Sequence, residues 1–428
     1  MGRRLATLAG LVGVALLGTP VASAPASAPL PSTGTSCAWP FRLDATVANT
    51  LYPDSAANYW ISDVPAVPGE TLTINGAFSY GRYMSFTTYT PYLFSVDGLH
   101  DSEIAPDPGS ANPYLPGADR SVTPRDYTVT VVFGQKPASP APNTLYTTSA
   151  DGSRTGDSFE LAYRVYRPDA GKDDKGGVPL PSITVNLPGG QSVPIPECSV
   201  PGVPPNGLND AIANADGPAG GPPWPGTNPP TWHRFYNGLT SAASLTDNGV
   251  TGTAISDGMS AQIMARSSKG GFLDNPDNAY VYAMLSRGYG PVAIVHAQLP
   301  TFANTYPAAP TMPGGTQLRY WSMCSYEIAA ERYYGCLVDD ETTLDPTGPT
   351  YTIVVSDPAD RPACATNWLP FGPSTESVLV MRNMLPDASF TNAIQSAGYG
   401  TEAQDMGAYY PATRYTTKAA FEATGCQA

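Results

Sequence analysis

Arg319-Tyr320-Trp321-Ser322-Met323-Cys324-Ser325-Tyr326 echoes an earlier stretch of the same chain, Arg82-Tyr83-Met84-Ser85-Phe86-Thr87-Thr88-Tyr89. Four of the eight positions agree, in the pattern R-Y-x-S-x-x-x-Y. The flanks turn the echo into a register. Asp101-x-Glu103-x-x-x-Asp107-Pro108 matches Asp339-x-Glu341-x-x-x-Asp345-Pro346, and the offset between the copies moves only from 237 to 238 residues. A β-rich run at 127–132 matches 351–355, and Asn143-Thr144-Leu145 matches Asn367-Trp368-Leu369. Leu161, Arg164 and Pro168-Asp169-Ala170 match Leu379, Arg382 and Pro386-Asp387-Ala388. Five blocks in one order imply a tandem duplication.

Composition agrees with short strands joined by turns. The 428 residues include 42 Gly, 46 Pro and 25 Tyr, and only 14% are charged. Such a chain favours strands and turns over long helices. The formal charge of −14 becomes −16 once Arg3 and Arg4 are removed with the leader. That argues against nucleic acid and anionic membrane surfaces, which need clustered Lys and Arg.

The first residues read as a signal peptide, 1–26: Arg3-Arg4, an apolar run from Leu5 to Leu17, then small residues with cleavage after Ala26. No later apolar stretch approaches the roughly 18 residues of a membrane span, so a secreted, extracellular protein with no transmembrane segment is expected. The six cysteines, Cys37, Cys198, Cys324, Cys336, Cys364 and Cys426, then imply three disulfides, for which 15 connectivities exist. Cys37 and Cys198 bracket the first copy and are expected to staple it; the other four lie in the second.

The expected organisation is a flexible lead at 27–36, a first copy at 37–187, a Pro/Gly-rich linker at 188–230 and a second copy at 231–428. Strands are expected near 72–78, 82–89, 127–133, 159–166 and 293–299, with 82–89 alternating one buried and one wet face. Short helices are expected at 239–245, 257–266 and 390–396.

At Asn367-Trp368-Leu369-Pro370, followed by Leu379, Arg382 and Pro386, the chain resembles a bacterial family catalogued as domain of unknown function 1214, often found with family 1254. The resemblance covers roughly 50–185 and 271–390. It implies jelly-roll-like β-sandwiches and no particular activity. The first copy has Asn143-Thr144-Leu145-Tyr146 where the family pattern has N-W-L-P, so a role tied to Trp368 exists once. The fold class expected is therefore mainly all-β: two tandem jelly-roll-like sandwich domains with a few short helices.

Candidate chemistry falls into three groups. Asp101, Glu103 and Asp107, and Asp339, Asp340, Glu341 and Asp345, are alternating carboxylates in Pro-bounded loops, a pattern that can collect Ca²⁺ or serve glycoside chemistry; solvated turns are the bland alternative. Tyr59, Trp60, Tyr280, Tyr282 and Trp368 offer faces for sugar rings, with Arg82 and Arg319 as anion or sugar contacts. The alternative for each is a core aromatic or an arginine paired with an acid. A serine triad or zinc site finds no support: G-x-S-x-G and H-E-x-x-H do not occur, and His100, His233 and His296 stand apart. The reading is a secreted, non-catalytic binding protein for a cell-envelope glycan or other envelope ligand. The alternatives are a carboxylate-dependent polysaccharide hydrolase or lyase, and a structural or assembly protein; oligomeric state is left open.

Overall fold

The computed structural model describes residues 37–47, 49, 51–65, 69–90, 95–155, 158–199, 226–235, 273–327 and 331–427. The expected signal peptide and lead, the helices at 239–245 and 257–266, and most of the linker lie outside these residues.

Among the described residues, nineteen strands form four sheets. In the first unit, β1 (Phe41–Leu43), β2 (Ala57–Pro65), β8 (Ser158–Pro168), β4 (Gly81–Tyr89) and β5 (Ser95–His100) form an inner sheet in that order. Its outer sheet runs β10 (Ser192–Ile195), β9 (Ser182–Asn186), β3 (Thr71–Ala77), β6 (Asp126–Gln135) and β7 (Thr144–Thr148). The second unit's inner sheet is β11 (His233–Arg234), β12 (Asn278–Ser286), β18 (Glu376–Met384), β14 (Tyr320–Tyr326) and β15 (Tyr333–Val338). Its outer sheet is β17 (Asn367–Pro370), β16 (Thr350–Ser356), β13 (Val292–Gln298) and β19 (Ala412–Thr416). Both outer sheets end in a parallel pair, β6 with β7 and β16 with β17, while the other pairings are antiparallel. The fold is thus mainly β with two domains, as the turn-rich composition led us to expect.

Each unit is a sandwich because its strands alternate. Leu72, Ile74, Val129 and Val131 of the outer sheet meet Met84, Phe86, Leu161 and Tyr163 of the inner one. Val295, Ile353 and Val355 meet Trp321, Met323, Leu379 and Met381 in the second unit. The expectation of a wet face on 82–89 needs correction. All nine residues of β4 and all seven of β14 are buried, because the two inner sheets also pack on each other. Tyr83, Tyr166, Ala56 and Ala57 of one unit share a cluster with Tyr320, Val338 and Met384 of the other. The molecule is therefore four β-layers deep, with a seam between the two inner sheets.

One boundary shifts. The stretch expected as linker from 188 contains β10, which pairs with β9, and Cys198, which bonds Cys37 as expected; packing that Pro/Gly content conceals carries it into the first unit. Trp232, at the start of the expected second copy, is fully buried in the second core. The helix expected at 390–396 is a single 3-10 turn, Ile394–Ser396. The remaining disulfides are Cys324–Cys336, across the β14–β15 pair, and Cys364–Cys426. The latter ties down helix α2 (Lys418–Ala423), which follows α1 (Glu402–Met406) and lays Phe421 over Val292, Ile294 and Val354.

No disulfide links the two units, so non-covalent contacts must hold them once the connection is cut: the seam, and the 301–318 loop of the second unit, whose Ala303 and Met312 enter the first core. Cleavage of the folded protein at a protease site introduced between residues 204 and 222 is expected to leave two fragments that co-elute at the volume of the intact chain in non-reducing size-exclusion chromatography. Separate elution without denaturant would contradict this account of the seam.

Candidate functional site

The seam gathers most of the charged residues that the sequence singled out. Arg82, wholly buried, donates from Nη1 to both carboxylate oxygens of Asp339 at 2.7 and 2.8 Å. Arg319 donates to Asp101 at 2.9 Å. Each aspartate also accepts a backbone amide from its own unit: Asp339 from Trp321 and Asp101 from Met84, both at 2.9 Å. The contacts are reciprocal, as in an isologous interface. Each arginine opens a strand of one unit, and each aspartate sits in the 3-10 turn after β5 or β15 of the other (Asp101–Glu103 and Asp339–Glu341).

A second tier repeats the reciprocity. Tyr83 donates to Asp277 at 2.6 Å, and Tyr320 donates to Asp54 at 2.8 Å. Arg164 donates to the Leu273 carbonyl at 2.9 Å, and Arg382 to the Tyr52 carbonyl at 2.7 Å. Burial pushes the carboxyls of Asp101 and Asp339 upward, while the facing guanidiniums pull them back. His100 has a 3.4 Å contact with Asp277 and a 3.1 Å contact with Glu103. Burial works against its charge, but the bonds to Asp277 and Glu103 outweigh it and raise its pKa to about 10.

The sequence candidates scatter across this frame. The acidic loops do not gather around one point. Asp107 lies by the Thr128 hydroxyl, Glu341 pairs with Arg167, and Asp345 accepts from Thr350 and lies 3.4 Å from His296. Among the described residues, three metal-ligand side chains converge only at Asp54, Cys324 and Cys336, and both sulfurs there belong to a disulfide. Trp60 is a core residue 5.6 Å from Tyr163. Tyr59 and Tyr280 lie by the guanidiniums of Arg164 and Arg382 in the seam. Tyr282 packs with Met284 and Tyr326. Trp368 is half-buried at the edge strand β17, with Arg361 over its ring. These five aromatics form no shared surface.

Sequence reasoning missed one pair. Asp63 on β2 and Glu160 on β8 are direct cross-strand partners, both under 5% exposed. Partners at that register stand with Cβ atoms roughly 5 Å apart. Glu160 Oε2 is buried with no hydrogen-bond partner. Tyr89 lies opposite Glu160 on β4. The matching rung of the second unit is apolar, Met284 opposite Val378. Burial lifts Asp63 to about 6; burial and the neighbouring Asp63 charge lift Glu160 to about 8. Near neutral pH the pair holds a proton that two ordinary carboxylates would have lost. The available signal was a single acid in each of two strands rich in apolar and aromatic residues.

No family model matches the chain, and no curated protein matches it. Among solved structures, the chain is similar to an uncharacterised protein from Burkholderia cenocepacia, with TM-score 0.46 and 13% identity over 90% of this chain and 83% of that one. It is also similar to a Vibrio parahaemolyticus protein, with TM-score 0.40 and 12% identity over 87% of this chain and 92% of that one. Neither likeness bears on activity.

Two measurements test the site. Asp339→Asn removes the nearest counter-charge of buried Arg82, leaving it only the longer 3.4 Å contact with Asp340, and is expected to cost about 3 kcal/mol in urea unfolding; a loss below about 1 kcal/mol would mean the pair bears no weight. For the acid pair, the folded-state pKa values lie above the unfolded ones, so the fold favours the protonated form. Stability is therefore lost as pH rises from about 4 through 8. Glu160→Gln should then stabilise the protein by on the order of 3 kcal/mol at pH 9 and little at pH 5. An equal change at both pH values would refute the raised pKa.

Proposed function

We propose that this is a secreted, non-catalytic binding protein of the extracellular space or cell envelope, taking a glycan or another envelope ligand. The observation that carries the reading is the use made of the recurring residues. Arg82, Arg319, Asp101 and Asp339 are engaged with one another across the seam, so the strongest signal in the sequence builds a rigid body. Such a body acts through its outer faces. The disulfides and the absence, among the described residues, of a helix long and apolar enough to cross a membrane are compatible with secretion. The family numbered 1214 and a duplicated origin fit the same reading: the inner sheets share one strand scheme and make reciprocal contacts.

A second reading, a carboxylate-dependent polysaccharide hydrolase or lyase, draws its support from Asp63 and Glu160 rather than from the acidic loops. Two adjacent carboxyls with separated pKa values are the arrangement that acid–base chemistry uses.

Thermal unfolding of the mature chain against a panel of envelope polysaccharides distinguishes them. A ligand that binds only the folded state at 100 times its Kd stabilises it by about 2.7 kcal/mol. A shift with the polymer recovered intact is expected. Release of reducing ends or unsaturated sugars, abolished by Glu160→Gln, would replace the binding reading with the catalytic one. No shift with any polysaccharide would leave the structural role.

A further inference from the structure

The outward face of the first unit's outer sheet carries an ordered patch that none of the foregoing accounts for. In this sheet Leu72, Ile74, Val129, Leu145 and Ile183 point into the core, so the alternate residues point away from it. At one level these are Thr184, Thr73, Thr130 and Thr144, in register from β9 through β3 and β6 to β7. Four threonines thus stand in one rank across four strands. The rank on one side holds Asn186, Thr71, Val132 and Tyr146; the rank on the other holds Ser182, Asn75 and Thr128. Sheet geometry spaces such side chains about 4.8 Å apart across strands and about 7 Å along them.

The central Thr184–Thr73–Thr130–Thr144 rank and the Ser182–Asn75–Thr128 rank contain hydroxyls, amides and threonine methyls and no charged group, although the chain carries a net charge of −14; Val132 and Tyr146 close the patch on one side, and Asp107, beside the Thr128 hydroxyl, lies at its other border. Asn186 Nδ2 donates to the hydroxyls of Thr73 at 2.9 Å and Thr71 at 3.3 Å, which holds that part of the lattice in place. Among the described residues, the hydroxyls of Thr130 and Thr184 have no hydrogen-bond partner. All four threonines of the central rank are partly exposed.

The second unit supplies the contrast. Its outer sheet presents Arg414, Ile294, Val354 and Trp368 along the corresponding rank. The apolar part of that face, Val292, Ile294 and Val354, is covered by α2 through Phe421. Where the chain covers an outer sheet it uses apolar side chains; where it leaves one open it has placed a neutral lattice of donors and acceptors.

We propose that the face centred on Thr73, Thr130, Thr144 and Thr184 binds a neutral, extended polysaccharide. This rests on the binding reading above and gives it a location and a ligand class. Each threonine hydroxyl both donates and accepts, as a sugar hydroxyl does, and each methyl offers an apolar contact to the C–H face of a pyranose ring. A flat array with fixed spacing suits a polymer of regular repeat. The lack of cationic groups, with the acidic balance of the chain, disfavours polyuronates and other polyanions.

The test is co-sedimentation of the full mature chain with insoluble cellulose, chitin and mannan, and with a polyuronate gel as the acidic counterpart. The wild type is expected to partition onto at least one neutral polymer and to leave the polyuronate unbound. The isosteric double variant Thr130→Val with Thr184→Val removes only hydroxyls that have no hydrogen-bond partner among the described residues. It should lose at least tenfold in apparent affinity with an unchanged melting curve. Thr130→Glu, which puts a charge into the rank, should abolish binding. Wild-type binding that survives both variants would overturn the location while leaving the binding reading intact. Binding to the polyuronate alone, or adsorption to ice crystals with none to the polysaccharides, would overturn the ligand class. No binding to any glycan, here or in the melts, would remove both proposals together.

Discussion

A buried guanidinium must have a counter-charge, and in this molecule Arg82 finds it only in the other unit. Breaking such a pair leaves an uncompensated charge in a medium that cannot solvate it, so Arg82–Asp339 and its counterpart Arg319–Asp101 act as conditions on the docking of the two sandwiches. The aspartates cannot move freely either, because each is also bonded to a backbone amide of its own inner sheet. Strand, turn and neighbouring unit are thereby set in one register. The surrounding tyrosines add area and orientation: Tyr166 meets Tyr320 edge-on at 5.4 Å across the seam, a geometry worth about 1 kcal/mol beyond burial alone.

That constraint explains why the inner strands look the way they do. β4 and β14 have cores on both faces, yet they keep Ser85, Thr87 and Ser322. In a single sandwich those positions would face water. Here they line a polar interior, where Thr87 accepts from Arg164 at 2.9 Å and Ser322 donates to Asp54 at 2.6 Å. The same interior tolerates a departure from reciprocity at one rung, where Asp63 and Glu160 stand opposite each other and the second unit has Met284 and Val378.

Much of the fold was legible because the two units share a strand scheme and similar sequence blocks mark its strands. The strands at 72–78, 127–133 and 293–299 and the Cys37–Cys198 staple follow from alternation, shared register and bracketing cysteines. The seam was not legible, for a physical reason: Ser/Thr alternation with aromatics looks the same whether the polar face meets water or a second polar sheet. The arginines announced themselves by recurring, but sequence cannot say which of many acids lies opposite. Asp101 and Asp339 were singled out as an acidic motif, and their pairing across the units depends on a docking geometry that no local pattern encodes. Asp63 and Glu160 form a site only once β2 and β8 are paired. The threonine ranks were similarly hidden, since Thr-x-Thr in one strand is ordinary and becomes a lattice only when four strands align.

The disulfides pair the cysteines in the order in which the chain carries them. Cys37 bonds Cys198, Cys324 bonds Cys336, and Cys364 bonds Cys426; each cysteine takes the next one to emerge during synthesis, and no bridge encloses or crosses another. A catalyst that simply joins successive thiols as they appear would therefore generate the native set without reshuffling. The first sandwich can be sealed before any cysteine of the second exists, and Arg82 then waits, already positioned, for an aspartate that is still unmade.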